Sequence, residues 1–166
     1  RLKADLPRVQ SLVLCPTREL ADQVTQEIRR LARAADNIKV LSLCGGSPFK
    51  PQAESLAFGA HVVVGTPGRL IDHLERETLD LSALNTLVLD EADRMLDMGF
   101  LADIETVVRQ CPAERQTLLF SATYPDGIAG LAQRFMRAPQ MVKVAAQHGA
   151  GKIAQRWYEV DAREKV

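Results

Sequence analysis

The stretch Thr86-Leu87-Val88-Leu89-Asp90-Glu91-Ala92-Asp93 places a short, branched apolar run directly before two adjacent carboxylates. Such a run is typical of a strand buried in a sheet, whose last residues emerge at one edge of that sheet. Two carboxylates there can hold Mg²⁺ and orient a water molecule for attack on a phosphate. Taken alone the pattern is ambiguous, because a strand that ends in two solvated acids has the same sequence.

Length and composition indicate one globular domain without a strong global charge. The chain has 166 residues, of which 46% are hydrophobic and 25% charged, as in ordinary soluble domains. Its 21 basic residues balance 21 acidic ones, so any binding of nucleic acid must come from local placement of groups. No apolar run approaches the ~20 residues needed to cross a bilayer, and the first residues contain no apolar signal core. The sequence therefore predicts a cytoplasmic protein without a membrane segment.

Cysteine and histidine spacing gives no indication of a metal centre. The three cysteines are far apart and lack the Cys-x-x-Cys or Cys/His spacing of a zinc site. Cys15 and Cys44 lie in apolar runs, which favours buried thiols that act as small hydrophobes in a reducing compartment. The three histidines also lack metal-ligand spacing, so we expect packing or surface roles for them.

Apolar runs alternate with helical patterns along the chain. The predicted strands are 11–15, 39–43, 61–65, 86–90, 116–121 and 141–144. A helix with the apolar stripe Leu20, Val24, Ile28 and Leu31 is predicted between the first two, and further helices at 51–58, 67–75, 91–96, 101–110 and 126–135. Alternation of this kind predicts a three-layer α/β domain with a mostly parallel sheet and right-handed crossovers.

Two of the predicted helices begin with residues suited to an anion. Pro16-Thr17-Arg18-Glu19-Leu20 follows the first strand, with Thr17 as the expected N-cap. Arg18 lies in the first turn, where the helix dipole favours an acid, so it indicates either an anionic partner or a solvated side chain. Thr66-Pro67-Gly68-Arg69 follows the third strand and combines an N-cap, a proline at the first helical position and an arginine. Free backbone N–H groups beside an arginine are well suited to phosphate.

Two further motifs follow the other strands. Gly45-Gly46 comes after the second strand and permits either a close backbone approach or a plain turn. Ser121-Ala122-Thr123 ends the fifth strand, and its hydroxyls can hydrogen-bond Asp93 or a neighbouring loop. Because ligands bind beyond the carboxyl ends of parallel strands, all these groups are expected at one edge of the sheet.

In order and spacing, these five motifs are similar to those of the DEAD-box RNA helicases, and the resemblance covers nearly the whole chain. It implies a RecA-like fold, ATP and Mg²⁺ as cofactors, RNA as partner and a second RecA-like lobe in the same parent chain. Asp90 would bind Mg²⁺ through its water shell, and Glu91 would position and activate the hydrolytic water. Three stretches, 43–46, 81–85 and 94–100, resemble most the bacterial members that act in ribosome assembly, which implies ribosomal RNA as the target.

The resemblance assigns the remaining motifs to coupling and to RNA. Asp93 with Ser121, Ala122 and Thr123 would link the nucleotide site to strand separation. The residues implied in gripping the sugar-phosphate backbone of RNA are Pro16, Thr17, Arg18, Glu19, Gly45, Gly46, Thr66, Pro67, Gly68 and Arg69. Backbone contacts of this kind position RNA without reading its sequence.

The chain also departs from the family pattern. The phosphate-loop motif G-x-x-x-x-G-K-[ST] does not occur, nor does the family's upstream adenine-reading segment. The resemblance therefore implies part of the first lobe at 1–148, without the phosphate-loop strand, and a linker with the start of the second lobe at 149–166. We expect these residues alone to be catalytically inactive. The strand 116–121 would then have an unpaired edge, so we expect these residues alone either to dimerise through that edge or to be poorly stable.

Two other functions remain open on the sequence. One is a nucleotide-independent module that binds RNA or protein through the same loops. The other is a Mg²⁺-dependent nuclease that uses Asp90, Glu91 and Asp93. Salt-sensitive RNA binding would support the first, and Mg²⁺-dependent cleavage of RNA would support the second.

Overall fold

A computed structural model describes residues 2–35 and 37–144 and contains a five-stranded, all-parallel sheet in the order β2-β3-β1-β4-β5. The strands are β1 (Ser11–Leu14), β2 (Val40–Leu43), β3 (Val62–Gly65), β4 (Thr86–Leu89) and β5 (Gln116–Leu119). The first five predicted strands are thus confirmed, each one or two residues shorter than expected. The predicted class, α/β with a mostly parallel sheet, is confirmed as well.

All five strands end at the same level of the sheet. Leu14 at the end of β1 is in register with Gly65 of β3 and Leu89 of β4. The ends of β2 and β5 continue this row on either side, through Leu43 and Leu119. Whatever follows the strands therefore emerges along one edge, as expected for ligand sites in parallel sheets.

Six helices are present among the described residues, and all of them lie where the sequence predicts one. They are α1 (Arg18–Ala32), α2 (Phe49–Ala57), α3 (Pro67–Glu75), α4 (Ala92–Asp97), α5 (Leu101–Arg109) and α6 (Asp126–Phe135). Helix α2 begins two residues before the predicted start at Pro51. Proline is tolerated in the first turn, where its missing N–H has no intrahelical partner, so it does not mark the helix start.

The core is divided between the two faces of the sheet. Leu12 and Leu14 of β1 face a large cluster with α3, α4, α5 and α6, whereas Val13 faces a smaller cluster with α1. This division confirms the three predicted layers. Cys15 and Cys44 belong to the smaller cluster and are buried free thiols, as predicted. Burial raises the pKa of Cys15 to about 12, so this thiol stays protonated.

The sixth predicted strand, 141–144, is wrong. These residues form no ladder with any described strand, and Val142 and Val144 are 86% and 90% exposed. A strand exists only through pairing, and the outer edge of β5 carries no neighbour among the described residues. The apolar run therefore had the composition of a strand without a partner to pair with. The predicted linker and second-lobe segment, 149–166, lies outside the described residues.

No helix in the described part of the chain is long and apolar enough to cross a membrane.

Candidate functional site

An open groove of about 540 Å³ lies at the carboxyl edge of the sheet, above β1, β2 and β3. The residues that line it are Pro16, Arg18, Gly45, Thr66, Pro67, Gly68, Arg69, Asp72 and Phe100. Three of the motifs that the sequence singled out, separated by up to about fifty positions, are thus brought to one surface. The sequence did not identify Asp72 or Phe100 as part of it.

The first turn of α1 forms one wall of the groove. Thr17 is the N-cap, as predicted, and its Oγ1 accepts a hydrogen bond from the Leu20 N–H at 3.3 Å. Arg18 has half of its side chain exposed and lies 3.8 Å from the Asp22 carboxylate. Glu19 is exposed and does not line the groove, although it is in the first turn where an acid suits the helix dipole.

The Gly45-Gly46 turn faces Arg18 across the groove. Gly46 has a φ of +75°, and a Cβ added there would lie 3.2 Å from Arg18 Nη1. Both the left-handed backbone and the close approach of the guanidinium therefore favour glycine. A cation and an open backbone turn are adjacent at this point of the groove.

Helix α3 presents its start to the groove. Thr66 is the N-cap residue and Pro67 the first helical residue, as predicted, but the Thr66 side chain makes no capping hydrogen bond. The first N–H groups of a helix have no intrahelical acceptor, and a Cβ built on Gly68 would meet no described atom within 4 Å apart from its chain neighbours and the backbone of its own helix. This end of α3 is therefore open to an acceptor such as a phosphate oxygen.

Arg69 lines the groove, but its guanidinium is largely held by the protein. Its side chain is only 12% exposed, and Nη1 donates to the Ser47 carbonyl at 3.0 Å and to Gln52 Oε1 at 2.8 Å. Its Nε lies 3.5 Å from the Asp72 carboxylate. The sequence predicted that this arginine would lie near a phosphate. It gave no sign of the contact with Gln52, because Gln52 belongs to a different element, α2.

The carboxylates follow β4 on the neighbouring part of the same edge. Burial raises the pKa of Asp90, and the adjacent charge of Glu91 adds to this effect, although the Glu91 N–H donates to Asp90 Oδ1 at 3.1 Å. Glu91 is in the left-handed region, with φ 49° and ψ 51°, where L-residues carry strain. Its carboxylate is 3.2 Å from Arg94 Nη1 and 41% of its side chain is exposed.

Asp93 joins this cluster to the end of β5. Its Oδ2 accepts hydrogen bonds from Thr123 N at 2.9 Å and Thr123 Oγ1 at 2.8 Å, which confirms the predicted contact. Ser121 Oγ donates to the Thr123 carbonyl at 2.6 Å, and exposed Ala122 lies between the two. Burial acts to raise the pKa of Asp93, but the hydrogen bonds from Thr123 and Arg94 outweigh it and the pKa is lowered.

The residues at this edge fit a Mg²⁺ ion only if most of its ligands are water molecules and substrate phosphates. The described part of the chain has no group of three or more His, Cys, Asp or Glu side chains that could hold a metal ion. Asp90 is nevertheless a partly buried carboxylate, and its pKa is raised by burial and by the neighbouring charge of Glu91. Mg²⁺ typically keeps several waters and binds one or two carboxylates together with substrate phosphates, and Asp90 suits that arrangement.

A buried histidine lies behind the groove and makes stability depend on pH. His73 is fully buried, its ring stacks on Phe49 with centroids 4.2 Å apart, and its pKa is lowered to about 4. Burial is the main cause. Arg69 and Arg76 also lower the pKa, and Asp72 opposes them. The packing role expected for the histidines is confirmed here.

Because the folded pKa lies below the unfolded value of 6.5, the unfolded chain binds a proton that the folded chain excludes. The contribution of neutral His73 to the free energy of unfolding is therefore fully present above about pH 7, and it falls as the pH decreases toward 4. Between about pH 7 and pH 5 we expect the wild type to lose about 2 kcal/mol more than a His73→Gln variant. Urea unfolding across this range measures the difference, and parallel pH profiles of the two proteins would contradict it.

The parallel α/β fold and the groups at this sheet edge are typical of one class of protein, and comparison with known proteins identifies that class. The chain belongs to the DEAD/DEAH box helicase family, whose model matches residues 1–131. It is 53% identical over 166 residues to the ATP-dependent RNA helicase DbpA of Escherichia coli (strain K12), an alignment that covers 100% of this chain and 36% of that protein. It is 50% identical over 158 residues to the DEAD-box ATP-dependent RNA helicase CshA of Geobacillus kaustophilus (strain HTA426), covering 95% and 34%.

Solved structures give the same result. A DEAD box protein from the hyperthermophile Methanococcus jannaschii superposes with a TM-score of 0.77 at 42% identity, covering 81% of this chain and 36% of that one. The yeast DEAD-box splicing factor Prp28 superposes with a TM-score of 0.76 at 34% identity, covering 82% and 33%. The predicted RecA-like fold is thereby confirmed. The chain spans about a third of the length of the curated relatives named above.

Proposed function

We propose that this chain is part of the first RecA-like lobe of an ATP-dependent RNA helicase, in which RNA-stimulated ATP hydrolysis drives local unwinding of short duplexes. The observation that carries the proposal is the common level of the five strand ends, because it sets the groove and the carboxylates on one edge. A phosphate-suited surface beside a metal-competent acid pair is the combination that such an activity requires.

The groove is the proposed site for one strand of RNA. Arg18 supplies a half-exposed cation, and the Gly45-Gly46 turn and the start of α3 supply backbone groups. Contacts of this kind recognise the sugar-phosphate backbone rather than the bases. Ribosomal RNA is the proposed target, supported by the 53% identity to DbpA, and the cytoplasm the proposed location, supported by three free buried cysteines.

The carboxylate cluster is the proposed hydrolytic site. Asp90 would hold Mg²⁺ through its water shell, and Mg²⁺, when bound, supplies positive charge to the phosphates of ATP. Glu91 would orient and deprotonate the attacking water, since it follows Asp90 directly and 41% of its side chain is exposed. Asp93 and Thr123 join β4 to the loop after β5, so a shift at the carboxylates reaches the segment Ser121-Ala122-Thr123 directly.

Hydrolysis also needs groups that these residues do not include. The G-x-x-x-x-G-K-[ST] motif, whose backbone and lysine cradle the β- and γ-phosphates, does not occur in the sequence. Positioning and electrostatic stabilisation supply most of the catalysis of phosphoryl transfer. We therefore expect no ATP turnover from the 166 residues alone, and we assign completion of the site to the rest of a longer helicase, its second lobe included.

ATPase activity with and without RNA tests the proposal. Intact mass is measured first, and then both the 166-residue chain and the full-length protein are assayed with ATP, Mg²⁺ and a short RNA duplex. We expect RNA-stimulated turnover and duplex separation only in the full-length protein. Turnover that RNA does not stimulate, or RNA cleavage in the presence of Mg²⁺, would contradict the helicase assignment.

A nucleotide-independent RNA-binding module is the second candidate for the isolated chain. The observation that favours it is that residues of this chain line the groove and that neither Asp90 nor Glu91 is among them. Binding of labelled single-stranded RNA by the chain, equal with and without ATP and weakening with salt, would support this function.

The outer edge of β5 leads to a prediction about assembly. Within the described ranges the strand pairs only with β4, and Phe120, which follows it, is 54% exposed. Unpaired edges of this kind template pairing with another chain. We expect the 166-residue chain to dimerise through β5 and a Leu118→Lys variant to be monomeric in sedimentation velocity.

The matched control for this prediction is Leu101→Lys, because it makes the same change at an exposed position on α5, outside the sheet. This variant should still dimerise. A wild-type chain that remains monomeric at high concentration and melts cooperatively would rule out association through the edge.

A further inference from the structure

Gln52, on the first turns of α2, touches three separate parts of the groove's supporting structure. Its Nε2 donates to the carbonyl of Cys44, the residue before the Gly45-Gly46 turn, at 3.1 Å. Its Oε1 accepts from Arg69 Nη1 at 2.8 Å and lies 3.1 Å from His73 Nε2. No motif of the sequence pointed to this residue, and it does not line the groove itself.

These contacts determine how the amide and the imidazole are oriented. A carbonyl oxygen and a guanidinium admit only one orientation of the Gln52 amide, with the nitrogen toward Cys44 and the oxygen toward Arg69. Since Oε1 can only accept, His73 must carry its proton on Nε2. His73 Nδ1 is then an acceptor 2.7 Å from Thr78 Oγ1, whose single hydrogen also has the His73 carbonyl within reach at 3.1 Å. The amide oxygen and the amide nitrogen of Gln52 thus each have a hydrogen-bond partner of the correct type.

Arg69 extends the same network to the far side of the turn. Its Nη1 also donates to the Ser47 carbonyl at 3.0 Å, one residue beyond Gly46. The turn is therefore held on one side through Cys44 by Gln52 and on the other through Ser47 by Arg69. The Phe49 ring stacks on His73, and the Arg76 guanidinium lies 4.5 Å from the centroid of that ring.

We propose that Gln52 is a positioning residue for RNA binding, which holds the Gly45-Gly46 turn and the Arg69 guanidinium in one fixed geometry. The inference rests on the proposed function of the groove as an RNA site. Glycines in a turn have a high conformational entropy when free, and ordering them before RNA arrives lowers the entropy lost on binding. Arg69 then contributes mainly by organising the groove, and Arg18 remains the exposed cation for phosphate.

The salt dependence of RNA binding separates the loss of a cation that contacts phosphate from the loss of a positioning residue. Removing a phosphate-contacting cation lowers the slope of log affinity against log salt by about one, whereas removing a positioning residue weakens binding at an unchanged slope. The probe is a fluorescently labelled oligouridylate, and its affinity for the chain is measured by anisotropy at several salt concentrations. The variants are Gln52→Ala, Arg18→Ala and, as a matched control, Gln26→Ala at an exposed position on α1.

We expect Gln52→Ala to weaken RNA binding about tenfold with the salt slope of the wild type. Arg18→Ala should lower the slope, and Gln26→Ala should change neither quantity. Heteronuclear NOE values of the Gly45 and Gly46 amides should fall in Gln52→Ala, while thermal unfolding stays cooperative. A Gln52→Glu variant keeps an acceptor for Arg69 but loses the donor to Cys44, so it should mobilise the two glycines as well.

The outcomes distinguish this inference from the function on which it rests. A wild-type chain that does not bind RNA would overturn the proposed RNA site, and the NOE values would still decide whether Gln52 orders the turn. Unchanged NOE values in a folded Gln52→Ala variant would overturn the positioning role, as would unchanged RNA affinity. A lower salt slope in Gln52→Ala would show that the substitution removes the charge of Arg69 from a phosphate, which would overturn the assignment of Arg69 as an organising group.

Discussion

Replacement of Glu91 by Gln is expected to lower RNA-stimulated ATP turnover of the full-length protein by about 10²–10⁴-fold, the contribution of a positioned general base. Glutamine has the same shape but cannot take the proton of the attacking water. Glu91 is the N-cap residue of α4 in a left-handed conformation, and its carboxylate lies 3.2 Å from Arg94 Nη1. Nucleotide and RNA affinities should change little, because the charge that binds the metal is assigned to Asp90.

Two further variants make this result specific. Asp97→Asn, at the exposed end of the same helix, should keep the turnover of the wild type. Glu91→Gly should be inactive as well, yet its free energy of unfolding should be equal to that of the wild type or about 1 kcal/mol higher, because glycine relieves the left-handed strain. Turnover of Glu91→Gln within about threefold of the wild type would contradict the assigned role.

Truncation of Leu70 to Ala should lower the free energy of unfolding by about 2–5 kcal/mol, the usual range for a leucine in a tightly packed core. Leu70 is fully buried on α3, directly after Arg69. A Cβ built on Gly65 would lie 3.0 Å from Leu70 Cδ2, so helix and strand are in close contact here. The loss of Cγ and the two methyl groups leaves a cavity that rigid backbone on one side cannot fill.

Urea unfolding of the 166-residue chain measures this effect, with Leu31→Ala as the matched control. Leu31 is on α1 and is 69% exposed, so its truncation should stay within about 0.5 kcal/mol of the wild type. Equal losses in the two variants would mean that α3 does not pack against β3 as described. Since Leu70 follows the groove motif, its truncation should also weaken RNA binding.

Local patterns were sufficient where each residue's role depends on its neighbours in the sequence. Helix α3 has the predicted bounds because Thr66 and Pro67 begin it through their own backbone preferences. The five strands were predictable because branched residues buried on both faces leave an apolar run with few alternatives. The segment 141–144 has the same composition and forms no strand, since pairing depends on a partner that composition does not specify.

The contact between Asp93 and Thr123 was predictable in a different way. Both residues follow parallel strands, so a common sheet edge brings them together once strand order is right, and β4 and β5 are indeed neighbours. The partners of Arg69 were not predictable. They come from α2 and from the turn before it, and a guanidinium near an anion site has the same sequence pattern whether it faces solvent or the protein.

The sequence by itself determined the family, the parallel α/β class, the order of the elements and the residues of the acidic cluster, because these follow from short-range patterns. The tertiary structure decided that Arg69 is held within the protein, that Gln52 joins the glycine turn to α3, and that Glu91 has a strained backbone. The physical reason is the same in each case. Hydrogen-bond partners and backbone strain depend on how distant elements meet in space, and the pattern of residues along one element does not encode the geometry of its neighbours.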